Sequence, residues 1–307
     1  MRVVIPDDYQ DAVRGLDCFA KLAAHDVTIY SDTVTSVEEL AHRLRDADAL
    51  VLIRERTAIT DELLARLPKL RLISQTGRGT AHIDAEACER RGIAIAVGTG
   101  SPHAPAELTF ALILASMRQV VREAERLRGG QWQTTLGRTL RGRTLGIWGY
   151  GKIGSLVAGY GRALGMNVLI WGREGSQTRA RTDSYEVAAD KAALFASADI
   201  LSLHLRLTEE TRGIVTATDL RSMKRDALLV NTSRAELIEE GALVAALKEG
   251  RPGFAAVDVY ESEPAVTHPL LTLDNALCTP HLGYVEKDSY ELYFGQAFDA
   301  VNEFASR

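Results

Sequence analysis

Cysteine is scarce in this chain of 307 residues: there are three, Cys18, Cys88 and Cys278, too widely spaced for a CxxC pair. That excludes a disulfide framework and a CxxC metal site, and it suits a reducing compartment. No charge sign dominates either, with 36 Lys and Arg against 41 Asp and Glu, a net charge of -5 and no long block of one sign. A nucleic-acid partner, which needs a basic face, is therefore not expected. No apolar run approaches the roughly 18 residues of a spanning helix. The opening Met1-Arg2-Val3-Val4-Ile5-Pro6-Asp7-Asp8 reaches acidic residues before a signal-peptide core can form. The chain thus reads as cytoplasmic, with no membrane partner. What is present is the balance of a globular protein, 46% hydrophobic and 25% charged, at a length that suggests two domains.

Short apolar, often β-branched runs recur at 3–5, 27–30, 49–53, 70–73 and 93–97, with helical patterns between them. In the pattern Val37, Leu40, Ala41 and Leu44, for example, the i, i+3, i+4, i+7 spacing makes one apolar stripe. A second series follows at 144–148, 167–171, 200–203, 228–231, 254–259 and 276–278. This alternation predicts an α/β fold of two doubly wound parallel sheets. Residues 104–128 are free of Gly and Pro after Pro105 and stop at Gly129-Gly130, which predicts one long helix bridging the two series. The last stretch, 286–306, carries the apolar stripe Tyr290, Tyr293, Phe294, Phe298, Val301 and Phe304, and should pack back on the first domain.

Gly149-Tyr150-Gly151-Lys152-Ile153-Gly154 has the G-x-G-x-x-G spacing directly after one strand pattern and directly before a helical one. In that setting the glycines permit a tight turn, close approach of a pyrophosphate and close helix-strand packing, so the motif points to a dinucleotide. An acidic residue at the end of the next strand would hold the ribose of NAD. Here that strand ends Trp171-Gly172-Arg173-Glu174: Gly172 takes the acidic slot, Arg173 suits the 2′-phosphate of NADP, and Glu174 could reach the ribose instead. Both NAD and NADP stay open.

Ligands of parallel sheets bind beyond the carboxyl ends of the strands. Arg234 follows the predicted strand end at Asn231 by three residues, Glu263 follows Val259 by four, and His281 follows Cys278 by three. Arginine, glutamate and histidine together suit redox chemistry on a 2-oxo or 2-hydroxy acid. The guanidinium forks onto a carboxylate, the imidazole passes a proton to or from the substrate oxygen, and the glutamate orients the imidazole.

With these motifs in place the sequence resembles the D-isomer-specific 2-hydroxyacid dehydrogenases over nearly its whole length. The resemblance runs through the glycine motif, Leu203-His204 to Gly213, Val230-Asn231-Thr232-Ser233-Arg234, Val257-Asp258 to Glu263-Pro264, and Thr279-Pro280-His281-Leu282-Gly283. It implies an NAD(P)-dependent oxidoreductase, with a Rossmann domain at 101–285 inserted into a flavodoxin-like substrate domain formed by 1–100 and 286–307. It further implies Arg234, Glu263 and His281 as catalytic residues, and His204, Thr232 and Asp258 beside the cofactor, Asp258 at the nicotinamide carboxamide. The loop Thr76-Gly77-Arg78-Gly79 would grip the substrate carboxylate, with Arg78, Gly79 and Arg54 on the substrate side. Family members are typically dimers joined near the bridging helix, so a homodimer is expected, with a small 2-hydroxy or 2-oxo acid as the other partner. No metal is implied. Arg78 stands where the family commonly has a small or apolar residue, which suggests either a second anionic group on the substrate or a salt bridge to Asp84. Ala235 and Arg206 replace a usual glycine and proline without removing a chemical group. Formate dehydrogenases share the fold, but Glu263 stands where they usually have glutamine. A nucleotide-sensing corepressor that keeps the dehydrogenase fold is the alternative, because such relatives keep the same three residues.

Overall fold

The computed structural model describes residues 1–307 and divides into two compact units, Met1–Ser101 with Val285–Arg307, and Pro102–Tyr284. The first holds β1 (Arg2–Ile5), β2 (Asp26–Ile29), β3 (Ala49–Leu52), β4 (Leu72–Gln75) and β5 (Ala94–Val97), all parallel in the order β2-β1-β3-β4-β5, a flavodoxin-like arrangement. Its helices α1 (Val37–Leu44), α2 (Asp61–Leu64) and α3 (Ala85–Arg90) start where sequence provides an oxygen to cap them. Ser36, Thr60 and Asp84 accept from the backbone N–H groups of Glu39, Leu63 and Ala87. The C-terminal helix, Lys287–Ala305, buries Phe294 and Phe298. It is tied down by Ser74 Oγ donating to Ala297 O at 2.9 Å, and by Glu291 accepting from the N–H groups of Asp17 at 2.7 Å and Cys18 at 2.9 Å.

The second unit begins with α4 (His103–Met117) and α5 (Val120–Arg128). Its strands are β6 (Thr144–Trp148), β7 (Asn167–Trp171), β8 (Glu186–Val187), β9 (Ile200–Leu203), β10 (Leu228–Asn231), β11 (Phe254–Val257) and β12 (Ala276–Cys278). They are all parallel in the order β12-β11-β10-β9-β6-β7-β8, which contains the Rossmann order with one strand added. The remaining helices are α6 (Lys152–Ala163), α7 (Glu174–Thr182), α8 (Lys191–Ser197), α9 (Ala217–Ser222) and α10 (Ala242–Glu249). Alternate strand residues enter two separate apolar clusters. Ile200, Leu228 and Val230 pack in one with Ile147 and Val157, while Leu201, Leu203 and Leu229 pack in the other with Phe195. Both faces of the sheet are therefore covered, which is why its strands read as continuous apolar runs.

Two predicted elements are corrected and one is added. The bridging helix is two helices bent by 60°: Gln119 takes a positive φ of 53°, and the N–H of Arg138 donates to Met117 O at 2.7 Å, drawing that carbonyl out of the helical ladder. The strand predicted at 70–73 runs from Leu72 to Gln75, because Ser74 and Gln75 find buried partners in Ala297 O and Arg54 O. The edge strand β8 carries no sequence signal in its two residues. No single helix is long and apolar enough to cross a membrane.

Candidate active site

The glycine motif turns out of β6. Gly149 has φ +105°, and a side chain there would strike the His204 carbonyl; Gly154 lies against the Gly149 carbonyl and has no room for a Cβ. Gly151 is the opposite case: it is exposed, with no atom within 4 Å of the Cβ position, and as N-cap of the 12-residue α6 it offers the helix amides no side-chain partner. Unsatisfied N–H groups at the positive end of a helix, openly approachable, are what a pyrophosphate requires, so the loop fits a dinucleotide. Lys152 is exposed on the first turn, and Ile153 packs into the core. The side chain of Tyr150 faces the protein interior: it is buried, its hydroxyl donates to Asp183 Oδ2 at 2.6 Å, and burial pushes the phenol above its ordinary range. Only its backbone is left for a ligand. His204 is half-buried, with Nε2 2.9 Å from Ser202 Oγ, and burial pushes its imidazole down to about 4, so it is neutral at pH 7.

At the end of β7, Arg173 Nη2 lies 3.2 Å from Glu210 Oε2, with the two side chains 79% and 82% exposed. A Cβ at Gly172 would meet Ser176 Cβ at 3.4 Å, an ordinary contact, so packing does not require glycine there. Glu174 opens α7 and is exposed.

The adjacent strands β10, β11 and β12 bring their carboxyl ends together, and the turns beyond them carry Arg234, Glu263 and His281. His281 Nδ1 lies 2.6 Å from Glu263 Oε2, with the side chains 25% and 34% exposed. A carboxylate only accepts, so Nδ1 is the donor and Nε2 is the nitrogen left to exchange a proton. The other carboxylate oxygen accepts the Tyr260 N–H at 3.0 Å. Burial pushes the Glu263 carboxyl up. The hydrogen bond and charge of His281, the Tyr260 amide and the charge of Arg234 outweigh it and hold the group below its ordinary range. Arg234 is half-buried; its Nη1 donates to Ser233 O at 2.8 Å, and its own carbonyl accepts from Asn231 Nδ2 at 2.8 Å. Thr232 lies 2.7 Å from Thr109 Oγ1, whose proton goes to Pro105 O, so the Thr232 hydroxyl is the donor.

Asp258 is fully buried and engaged within the chain: Oδ1 accepts Thr279 Oγ1 at 2.6 Å and Leu282 N at 2.7 Å, and Oδ2 accepts Gly283 N at 2.9 Å. Oδ1 thus takes two donors and Oδ2 one. Thr279 and Tyr260 are the residues that sequence reasoning missed here. Thr279 stands two places before His281, a polar residue at a strand end; Tyr260 gives no signal at all.

In the first unit Arg54 and the loop Thr76-Gly77-Arg78-Gly79 meet at the ends of β3 and β4. The Arg54 guanidinium lies against Gly77, with Nη1 3.4 Å from Thr76 O, and the Glu55 carboxylate lies against Gly79. Arg78 is exposed. The proposed salt bridge to Asp84 does not form, because that carboxylate caps α3.

A Rossmann sheet with a fitting phosphate loop, and an imidazole-carboxylate pair at its strand ends beside an arginine, defines a nucleotide-dependent oxidoreductase. Residues 110–283 match the model of the D-isomer specific 2-hydroxyacid dehydrogenase NAD binding domain. The chain is 40% identical over 270 residues to a glyoxylate reductase of Aeropyrum pernix, a match covering 82% of this chain and 78% of that protein. It is 39% identical to a D-3-phosphoglycerate dehydrogenase of Methanocaldococcus jannaschii, over 80% of this chain and 47% of the longer relative. The solved structure of a phosphoglycerate oxidoreductase from Vibrio cholerae is 56% identical, with a TM-score of 0.97 over 100% of this chain and 99% of that one. The chain belongs to the D-isomer specific 2-hydroxyacid dehydrogenase family. It is an oxidoreductase that uses NAD(P) on 2-hydroxy or 2-oxo acids, and the corepressor alternative is not favoured.

Proposed function

We propose that the chain interconverts a small D-2-hydroxy acid and its 2-oxo acid, with His281 as acid/base, Glu263 as its partner and Arg234 as the clamp on the substrate carboxylate. The 2.6 Å bond from His281 Nδ1 to Glu263 carries this reading, because it turns Nε2 into the working nitrogen. When bound, the nicotinamide supplies or accepts the hydride. His281 Nε2 gives a proton to the carbonyl oxygen in reduction and takes it from the hydroxyl in oxidation. Glu263, fixed from the other side by Tyr260 N–H, holds the imidazole and balances its charge through the transfer. Arg234 offers the planar fork that a carboxylate matches, and its charge polarises the neighbouring carbonyl.

The Gly149–Gly154 loop receives the pyrophosphate, with His204, Thr232 and Asp258 beside the cofactor and Arg173 near the adenosine ribose. Arg54, Arg78 and the Gly79 backbone recognise the substrate anion. With Asp84 committed to α3, Arg78 is assigned to a second anionic group on that substrate. Residues 1–101 with 285–307 thus serve the substrate and 102–284 the cofactor. A homodimer forms through the α4–α5 region, where Val120, Leu127, Trp132 and Leu136 are exposed apolar side chains. The test is nicotinamide oxidation with glyoxylate, hydroxypyruvate, phosphohydroxypyruvate and phenylpyruvate, using NADH and NADPH side by side. Turnover should appear with at least one small 2-oxo acid and be highest where a second anionic group is present. Cofactor binding without turnover on any of them would return the corepressor alternative.

A further inference from the structure

His281 has φ +53°, a left-handed backbone that is uncommon outside glycine and that here is held by its surroundings. Here the surroundings are specific. Asp258 receives Thr279 Oγ1 and Leu282 N on one oxygen and Gly283 N on the other, so a single buried carboxylate grips the turn on both sides of His281. Within the turn, the His281 N–H donates to Thr279 O at 3.0 Å, and the same carbonyl accepts the Tyr260 hydroxyl at 3.0 Å. Thr279 N–H donates to Val257 O at 2.9 Å, which continues the β11–β12 ladder. At Thr279, therefore, the strand end, Asp258 and Tyr260 all take hold of the segment that carries the imidazole.

Of these bonds, the Thr279 hydroxyl supplies the one that anchors the turn from its N-terminal side, at 2.6 Å to a carboxylate, in the range of short charge-assisted hydrogen bonds. We infer that Thr279 is a positioning residue for the proton transfer: its hydroxyl, tied to Asp258, locks the left-handed backbone of His281 and so sets the approach of Nδ1 to Glu263. This rests on the acid/base reading of His281. Removing the hydroxyl leaves the Leu282 and Gly283 amides on Asp258, so the fold persists while the imidazole loses the fixed direction from which it meets Glu263.

Two variants separate this role from simple packing. Thr279→Val keeps the volume and removes the hydroxyl; Thr279→Ser keeps the hydroxyl and removes the methyl. Catalytic geometry is steeply sensitive to small displacements, so Thr279→Val should lower kcat by about 10-fold, with KM and the cofactor Kd within about twofold of wild type. The short Nδ1–H to Glu263 bond should give a downfield imidazole proton resonance in protein labelled with ¹⁵N-histidine, measured without cofactor. That resonance should weaken or move upfield in Thr279→Val, and Thr279→Ser should restore both the resonance and kcat. A silent Thr279→Val, or a Thr279→Ser as damaged as the valine variant, overturns the inference. If Thr279→Val does not fold, Tyr260→Phe, which removes the hydroxyl that holds the Thr279 carbonyl, should move the same resonance and lower kcat in the same direction; no change in either overturns it equally. His281→Ala is the control: if it keeps full turnover, the acid/base reading fails, while the resonance still reports separately on whether Thr279 aims the imidazole.

Discussion

Cofactor choice turns on Arg173, whose guanidinium meets Glu210 at 3.2 Å with both side chains about four-fifths in solvent. Two unit charges at that distance attract by about 1 kcal/mol in water-like surroundings, and an exposed pair nets about 0 to 1 kcal/mol. Arg173 therefore gives up little when it leaves Glu210. A charge-assisted hydrogen bond to a 2′-phosphate contributes about 1.5 to 3 kcal/mol. The difference, about 0.5 to 3 kcal/mol, corresponds to about 2- to 150-fold in affinity. Arg173→Ala should weaken NADPH by that factor and leave NADH nearly unchanged. Glu210→Gln should act in the opposite direction, because it removes the negative charge that both attracts Arg173 and repels the phosphate. Gly172→Asp introduces the missing carboxylate at a position where a Cβ makes only ordinary contacts, with Ser176 Cβ at 3.4 Å and the Gly149 backbone at 3.7 and 3.8 Å. It should favour NADH over NADPH by about 10-fold or more. Fluorescence titration of NADH and NADPH against wild type and the three variants gives every constant needed. Wild type should bind NADPH at least as well as NADH. A strong NADH preference that Arg173→Ala leaves untouched would show that this guanidinium serves only the surface.

The remaining expectations concern the dyad and the core. His281→Ala should lower turnover by about 100-fold or more with cofactor affinity retained, since that is the scale of general acid catalysis; single-turnover rates near wild type would remove His281 from the chemistry. Arg234→Ala should raise KM for the 2-oxo acid and also lower kcat, and a change confined to the cofactor Kd would contradict its assignment. The Glu263 carboxyl lies below its ordinary 4.5 in the folded chain, so its contribution to stability is complete above pH 4.5 and is lost as pH falls through the lower folded value. The Tm difference between wild type and Glu263→Gln should persist down to about pH 4.5 and shrink below it, and a difference already gone at pH 6 would contradict the pairing. Phe298 is fully buried, so Phe298→Ala should destabilise by about 3 to 5 kcal/mol in denaturant unfolding; a loss under about 1 kcal/mol would mean that this site collapses without a cavity.

Local chemistry made much of this protein legible in its sequence. The strands Thr144–Trp148 and Asn167–Trp171 read correctly to the residue, because both faces of their sheet are covered and every position in such a strand tends to be apolar. The glycine motif was equally plain, since its crowded and open positions are demands of a single turn on a few consecutive residues. Arg234, Glu263 and His281 stood out because parallel strands place the residues that follow them at one edge. What the sequence could not contain was any feature made by residues distant along the chain. The break between α4 and α5 depends on an amide twenty-one residues beyond Met117, and the extent of β4 on carbonyl partners at Ala297 and Arg54. The pairing of Arg173 with Glu210 joins the loops that follow β7 and β9, thirty-seven residues apart in the chain and brought together only by the folded sheet, where β6 lies between those strands. The left-handed backbone of His281 is the clearest case: nothing in Thr-Pro-His-Leu-Gly announces it, and it exists because Asp258, more than twenty residues earlier, gathers three donors around the turn. Composition and periodicity select the elements and the residue types at their ends. The direction in which a catalytic side chain finally points is set by hydrogen bonds that only tertiary contact can close.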